Sequence, residues 1–154
     1  PHMLTKKDIR HMSGPALADL IRRVHEKGGS AVIRARGGSM APIIRPGNFV
    51  TISPAMPPYR FGDIVAFLSP ETRELVIHRI IGRFRGRLMI KGDNVPAGHD
   101  VIASSHIIGT VTGYGTTPAM ARQTGPGREK IPAAMFSRLK ISHRVGFLYK
   151  NLLK

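Results

Sequence analysis

The types of residue at positions 39 and 78, Ser39 and His78, and their surroundings are those that hydrolysis by a serine nucleophile requires. Ser39 lies in a run of small residues, Gly37–Pro42, whose glycines allow a sharp turn that exposes the hydroxyl. His78 lies in an apolar stretch with β-strand character. A serine hydroxyl is a weak nucleophile until a nearby base takes its proton, and imidazole has a suitable pKa near neutral pH. Each residue alone is more often structural, but together they predict nucleophilic catalysis.

Three further motifs follow the serine run, and the four together resemble the ordered boxes of the type I signal peptidases. In chain order they are Gly38–Pro42, Phe61–Val65, Ile77–Ile80 and Lys91–Asn94. The resemblance covers about residues 36–113. It concerns the Ser-His form of that family, which occurs in archaea, in some Gram-positive bacteria and in the endoplasmic-reticulum signal peptidase complex.

The resemblance implies a role for each of four residues. Ser39 corresponds to the nucleophile and His78 to the general base. Asp100, which follows the Gly-Asp-Asn box, corresponds to the third member of the triad, and the box residue Asp93 is also functionally important in the family. The interval between the two aspartates is one position longer than the family pattern, which leaves open whether Asp100 or Asp93 orients His78.

A second related family differs at the position of the base. The self-cleaving SOS-repressor peptidases share the Ser-Met box and the fold but have a lysine where this chain has His78. A lysine must be held neutral by burial, whereas a histidine is half neutral near its ordinary pKa of ~6.5. The histidine therefore favours the signal-peptidase side of the superfamily.

The activity expected from this resemblance is that of a serine endopeptidase. It would cleave signal, leader or propeptides after small residues, with the substrate bound as an added β-strand. The residues of the serine box that would contact the substrate are Gly38, Met40 and Pro42. The alternative is a catalytically silent or self-cleaving regulatory protein that binds nucleic acid or anionic membrane.

The charge of the chain bears on this alternative. Among 154 residues there are 24 Lys and Arg against 9 Asp and Glu, a formal net charge of +15. Such a balance indicates an anionic partner, which could be nucleic acid, a membrane surface or an acidic peptide. The sequence predicts one amphipathic helix before the strands, whereas a helix-turn-helix needs two packed helices. This argues against nucleic acid as the partner.

Several classes of protein are disfavoured by composition. The chain has no cysteine, so it relies on neither disulfides nor thiolate metal sites. No apolar stretch approaches the ~18 to 20 residues of a membrane-spanning helix, and the N-terminus lacks the apolar core of a signal peptide. Pro1 and His2 resemble a tag remnant. We expect a cytoplasmic or membrane-peripheral protein, or one from which an anchor has been trimmed.

The loop at residues 92–100 allows a metal site as a competing interpretation. Asp93, Asn94 and Asp100 could bind calcium, but the loop lacks the alternating ligands and terminal glutamate of a known calcium loop. His99 and His106 could join Asp100 in holding a metal, yet their spacing is not specific. A loop that supplies an aspartate to His78 is the better interpretation, and no metal or other cofactor is predicted.

The hydrophobic pattern predicts a mainly β fold after one helix. The helix would begin near Ser13 and end at Gly28, with a buried stripe of apolar residues. Six runs then have strand character: 32–36, 48–53, 64–68, 75–81, 88–91 and 107–112. Short strands with glycine-rich turns indicate a coiled, partly closed sheet. Alternation places His78 between Val76 and Ile80 on one strand face, which favours neutral imidazole.

The predicted organisation has three parts. Residues 4–114 form the catalytic domain with its N-terminal helix, residues 115–132 a linker or long loop, and residues 133–154 a basic amphipathic helical tail. The tail could lie on an anionic membrane, or it could pack on the domain with a solvated basic face.

Overall fold

The computed structural model describes residues 12–123. Its first element is α1, Gly14–Glu26, which begins where the sequence predicts. The Ser13 side chain accepts a hydrogen bond from the Ala16 amide at 3.4 Å, so it caps the first turn. On the inner face of the helix, Ala18 and Ile21 are fully buried. The amphipathic stripe therefore attaches α1 to the domain core.

Within residues 12–123, seven antiparallel strands make up one sheet, which confirms the predicted mainly β fold. They are β1 Ala31–Arg34, β2 Phe49–Pro54, β3 Ile64–Leu68, β4 Leu75–Phe84, β5 Arg87–Lys91, β6 Asp100–Ile102 and β7 Ile107–Gly115. A 3₁₀ turn, Ser104–His106, precedes β7, and a short helix α2, Pro118–Gln123, follows it. The strand order is β1-β2-β7-β3-β4-β5-β6, so β1 and β6 are the edges of an open sheet.

The two faces of the sheet bury separate apolar clusters. One cluster packs α1 against β2 and β3, with Val50, Ile52 and Ile64 at its centre. The other lies on the opposite side of the central strand, where Phe67 meets Ile80 of β4. Because β3 is central, its residues from 64 to 67 are all buried. This strand supports β4, which carries His78.

The pairing of β4 changes along its length. Its first residues, Leu75–His78, pair with β3 on one side, whereas β5 joins the other side only from Arg79 onward. Within the described residues, the second edge of Leu75–His78 is therefore without a neighbouring strand. This free half-edge matters for the site described below.

Two elements differ from the sequence-based expectations. Strand β6 was missed because it has only three residues, and Asp100 is its first residue. Helix α2, which was not predicted, lies in the segment 115–132 that was predicted as a linker or long loop. It packs on β7, where a side chain on Gly115 would approach the Met120 Cβ to 2.5 Å.

The predicted tail, residues 133–154, lies outside the described residues. Among residues 12–123, no helix has the length and apolar character needed to span a membrane.

Candidate active site

Ser39 lies in a compact turn that follows β1. The Ala41 amide donates to the Gly38 carbonyl at 3.1 Å, and the Ile44 amide donates to the Met40 carbonyl at 3.0 Å. Met40 is 3% exposed and Ile44 1%, so both side chains anchor the turn in the core. Ser39 itself is half-buried. The packing of these two apolar side chains thus fixes the position of the turn.

The loop at residues 92–95 fixes the same turn from the side. The Asn94 amide donates to the Ser39 carbonyl at 2.7 Å. The Asn94 side chain, through Nδ2, donates to the Gly38 carbonyl at 3.2 Å. The Gly-Asp-Asn box therefore binds the backbone of the serine box directly, which sequence analysis did not predict.

Gly92 brings the serine and the histidine together. A Cβ at this position would lie 2.8 Å from the Ser39 carbonyl oxygen, 3.0 Å from His78 Nε2 and 2.7 Å from Val95 Cγ2. The bare Gly92 backbone therefore lies against both the serine backbone and the imidazole nitrogen. Only glycine permits this approach, because any side chain would force these groups apart.

His78 occupies a largely apolar environment, as its position in β4 predicts. Its side chain is 14% exposed, and its ring centroid lies 6.0 Å from that of Phe67. Its neighbours Val76 and Ile80 face the same apolar cluster. Burial lowers the pKa of His78 below its ordinary value, while the charges of Asp100 and then Asp93 act in the opposite direction. The balance keeps the imidazole neutral near neutral pH.

Asp100 lies beside the other ring nitrogen of His78. Its Oδ2 is 3.8 Å from Nδ1, and its side chain is 50% exposed. Nδ1 is buried and has no hydrogen-bond partner among the described residues. The separation is longer than a hydrogen bond, but catalytic hydrogen bonds often shorten only when the substrate is present. Asp100 is therefore the carboxylate positioned to satisfy Nδ1.

Asp93 has a different partner. Its two carboxylate oxygens accept from Arg79, with Nε–Oδ1 at 2.8 Å and NH2–Oδ2 at 2.7 Å. Both side chains are almost fully buried, and Arg79 NH1 also donates to the Gly62 carbonyl at 2.8 Å. The arginine thus joins β4, the loop at 92–95 and the turn before β3. The two aspartates therefore contact neighbouring residues of β4: Asp100 lies beside His78, and Asp93 binds Arg79.

A groove of about 1080 Å³ includes Ser39, His78 and Asp100 in its walls. Its walls include residues 33–37, which lead from β1 to the serine turn, residues 71–78, which contain the free half-edge of β4, and residues 12–15 at the start of α1. Among the three predicted substrate contacts, Met40 lines the groove, whereas Gly38 and Pro42 are not part of its lining. Met40 is also a core residue, so its contribution is to the floor of the groove.

The metal interpretation of the loop gains no support from the geometry. Among residues 12–123, no three His, Asp or Glu side chains are grouped closely enough to hold a metal ion. The alternative base considered for this fold, a lysine, has one candidate nearby in Lys91 of β5. Burial lowers the pKa of Lys91, but the strand register places it opposite Arg79 and not opposite His78.

Comparison with known proteins places this geometry in a family. No curated protein matches the chain. The model of the Peptidase S24-like family matches residues 8–112, a range that includes Ser39, His78, Asp93 and Asp100. This family includes serine peptidases and self-cleaving regulators. Since the match covers well over half of the sequence and the fold is consistent with it, the chain belongs to the Peptidase S24-like family.

Proposed function

We propose that the protein is a serine endopeptidase with a Ser39–His78–Asp100 mechanism. The observation that carries the proposal is the shared contact at Gly92, which brings His78 Nε2 against the serine turn while Asp100 lies beside Nδ1. The three groups also line one groove. This is the arrangement in which one ring nitrogen can serve the nucleophile and the other can be held by a carboxylate.

In the proposed reaction, Ser39 Oγ attacks the scissile carbonyl carbon and its proton passes to His78 Nε2. The imidazolium formed is stabilised by Asp100 at Nδ1 and then gives the proton to the leaving amine. Water repeats the sequence to release the acyl group from Ser39. The Ser39 amide is a candidate donor to the oxyanion. The lowered pKa of His78 supports this role, because the base must be neutral before the attack.

The free half-edge of β4 supports binding of the substrate as an extended strand. A peptide backbone in the groove can pair with residues 75–78, in the way that strand addition uses unpaired backbone groups. Cleavage after small residues remains part of the proposal, on the resemblance to signal peptidases. The assignment to their Ser-His form depends on His78 alone. The substrate class that we propose is a signal, leader or propeptide.

The test of this function is a comparison of Ser39→Ala with Ser104→Ala. Ser104 is exposed in the 3₁₀ turn and lies outside the groove, so it controls for loss of a hydroxyl. A fluorophosphonate probe should label the unchanged protein and Ser104→Ala but not Ser39→Ala. Cleavage of a quenched-peptide mixture with small residues at the scissile position should follow the same pattern. Equal labelling of both variants would refute the proposal.

The same assay separates the self-cleaving alternative. Shortening of the unchanged chain at a rate independent of its concentration, without turnover of added peptides, would indicate a self-cleaving regulator. Membrane docking by residues 133–154 is a further proposal, and those residues lie outside the described structure.

A further inference from the structure

The groove continues past the catalytic residues to the start of α1. Leu17 of α1 and Leu75 of β4 line it together with Ser39 and His78. Leu75 is three residues before His78 in β4, so the two lie about 10 Å apart at ~3.3 Å per strand residue. The part of the groove next to Leu75 is therefore too far from His78 to take part in proton transfer, and it is free to bind another part of the substrate.

Helix α1 bridges the two strands that border this groove. Strands β1 and β4 are separated by three other strands in the sheet order, yet α1 contacts both. At the first residue of the helix the contact is between backbones, because a Cβ on Gly14 would clash with the Arg73 carbonyl oxygen and lie 2.8 Å from Glu74 Cα. The start of α1 is thus held against the turn that leads into the free half-edge of β4.

The side chains at this end of the groove are apolar. Leu75 and Ile77 pack against the apolar cluster that contains α1, whereas Val76 packs against the cluster on the opposite face of the sheet. Leu17 and Ile33 of β1 pack against the same cluster as Leu75, and all three are only partly buried. All three also line the groove. We call Leu17, Ile33 and Leu75 the distal apolar subsite.

We propose that the distal apolar subsite binds a large apolar side chain of the peptide substrate, an inference that rests on the proposed peptidase function. The occupant is the substrate strand because the subsite is continuous with the catalytic part of the groove. Neighbouring residues of paired strands share a sheet face, so the substrate residue next to Leu75 directs its side chain towards the face of Leu17 and Ile33. This residue is three positions from the one next to His78. The substrate residue next to Val76 faces the other side and does not meet the subsite.

Peptides labelled with fluorescein, each with a single leucine in an alanine background, test the position of this contact. Fluorescence anisotropy measures their binding to Ser39→Ala, and mass spectrometry measures their cleavage by the unchanged protein. Binding should be tighter on the order of tenfold for one leucine position, about three residues from the cleaved bond, and not for the adjacent positions. Cleavage of the peptides without any leucine preference in binding would overturn the subsite alone. Leucine-dependent binding without cleavage would support the subsite and refute the peptidase function alone.

Two further substitutions in the Ser39→Ala protein test the residues of the subsite. Leu17→Ala should reduce the leucine preference severalfold, whereas Leu20→Ala, at a half-buried leucine of α1 outside the groove lining, should preserve it. Leu75→Glu should replace the preference for leucine with a preference for lysine at the same peptide position, which a loss of stability cannot produce. The subsite is overturned if a folded Leu17→Ala protein retains the full preference, or if Leu75→Glu gains none for lysine.

Discussion

Asp93 and Asp100 flank the same short loop but occupy opposite kinds of environment. Asp93 is buried, with both oxygens bound by Arg79 at 2.7 to 2.8 Å. Asp100 is half-exposed, and its nearest oxygen is 3.8 Å from His78 Nδ1. Both oxygens of the Asp93 carboxylate are hydrogen-bonded to Arg79, whereas the half-exposed Asp100 carboxylate is free to reorient. The comparison indicates that one aspartate holds the fold of the site and the other is available for its chemistry.

The surroundings of each aspartate reinforce this division. The Arg79–Asp93 pair connects β4 to the loop at 92–95, and that loop binds the serine turn through Asn94. Asp93 therefore affects the position of Ser39 through the backbone of this loop and does not contact Ser39 directly. Asp100 begins the edge strand β6, which pairs with β5. In the proposed mechanism, Asp93 and Asp100 would therefore contribute to activity for different physical reasons.

The largest expected effect is on stability, from Asp93→Asn. The change leaves the Arg79 guanidinium buried without its counter-charge, which costs about 3–5 kcal/mol in the free energy of unfolding. Chemical denaturation measures this loss. Asp19→Asn is the matched control, because the Asp19–Arg22 pair is at the surface and contributes at most ~1 kcal/mol.

A double variant sharpens the interpretation of that result. Arg79→Met combined with Asp93→Leu removes both charges and should recover much of the lost stability. If the double variant also recovers peptide cleavage, Asp93 acts only through the fold. If Asp93→Asn is as stable as the unchanged protein but inactive, the division between the two aspartates is wrong.

The next effect is on activity alone, from Asp100→Asn. An amide at this position cannot stabilise the imidazolium, and it favours the wrong tautomer of His78, so kcat should fall by ~10²- to 10⁴-fold. The free energy of unfolding should change little, because the side chain is half-exposed. Peptide cleavage and denaturation measured on the same sample test both parts. Unchanged kcat would remove Asp100 from the mechanism.

A smaller effect is expected at the contact that joins the two regions, from Gly92→Ala. The added methyl would meet the Ser39 carbonyl and His78 Nε2, so the serine turn and the imidazole must separate at a cost of about 1–3 kcal/mol. Activity should fall more than stability does. Gly82→Ala is the control, since a Cβ there meets only Met89 Sδ at an ordinary 3.8 Å. Equal loss from both variants would contradict a special role for Gly92.

The sequence predicts the individual elements and motifs better than it predicts which residues contact one another. Composition and alternation identify α1, six of the strands and the burial of His78 between apolar neighbours, because these follow from local patterns. The three-residue strand β6 leaves no periodic signal. The binding of Asp93 by Arg79 was also missed, although the two motifs containing them were recognised. Which carboxylate faces which residue of β4 depends on strand register and loop path, which no local pattern specifies.

The predicted substrate contacts depend on the same kind of information. Contact of Gly38, Met40 and Pro42 with substrate stays a prediction. Met40 lines the groove, with a side chain that is 3% exposed, whereas Pro42 is exposed and is not part of the lining. The direction of each side chain in a tight turn is not specified by the sequence. The groove wall at 75–78 was recognisable as a strand, but its free edge became visible only from the pairing of β5.

The smallest expected effect is on the pKa of His78. It tests whether the charge of Asp100, 3.8 Å from Nδ1, changes that pKa. Burial lowers the pKa of His78, and Asp100 partly opposes this change. Asp100→Asn should therefore lower the pKa further, and Asp93→Asn should lower it less, in the order of their contributions. Titration of the His78 ring resonances by NMR measures both. A larger decrease in Asp93→Asn would reverse the assignment of the two aspartates.

The same pKa fixes the sign of a stability change with pH. The unfolded imidazole takes up a proton near pH ~6.5, whereas the folded imidazole does so only at lower pH. The unfolded state therefore binds more protons between these two values, and the contribution of His78 to stability is lost as pH falls from ~6.5 towards the folded pKa. In His78→Gln this part of the pH dependence should disappear, while His106→Gln, an exposed histidine, should retain it. Denaturation midpoints measured across this interval test the difference, and an unchanged slope in His78→Gln would mean that another group titrates there.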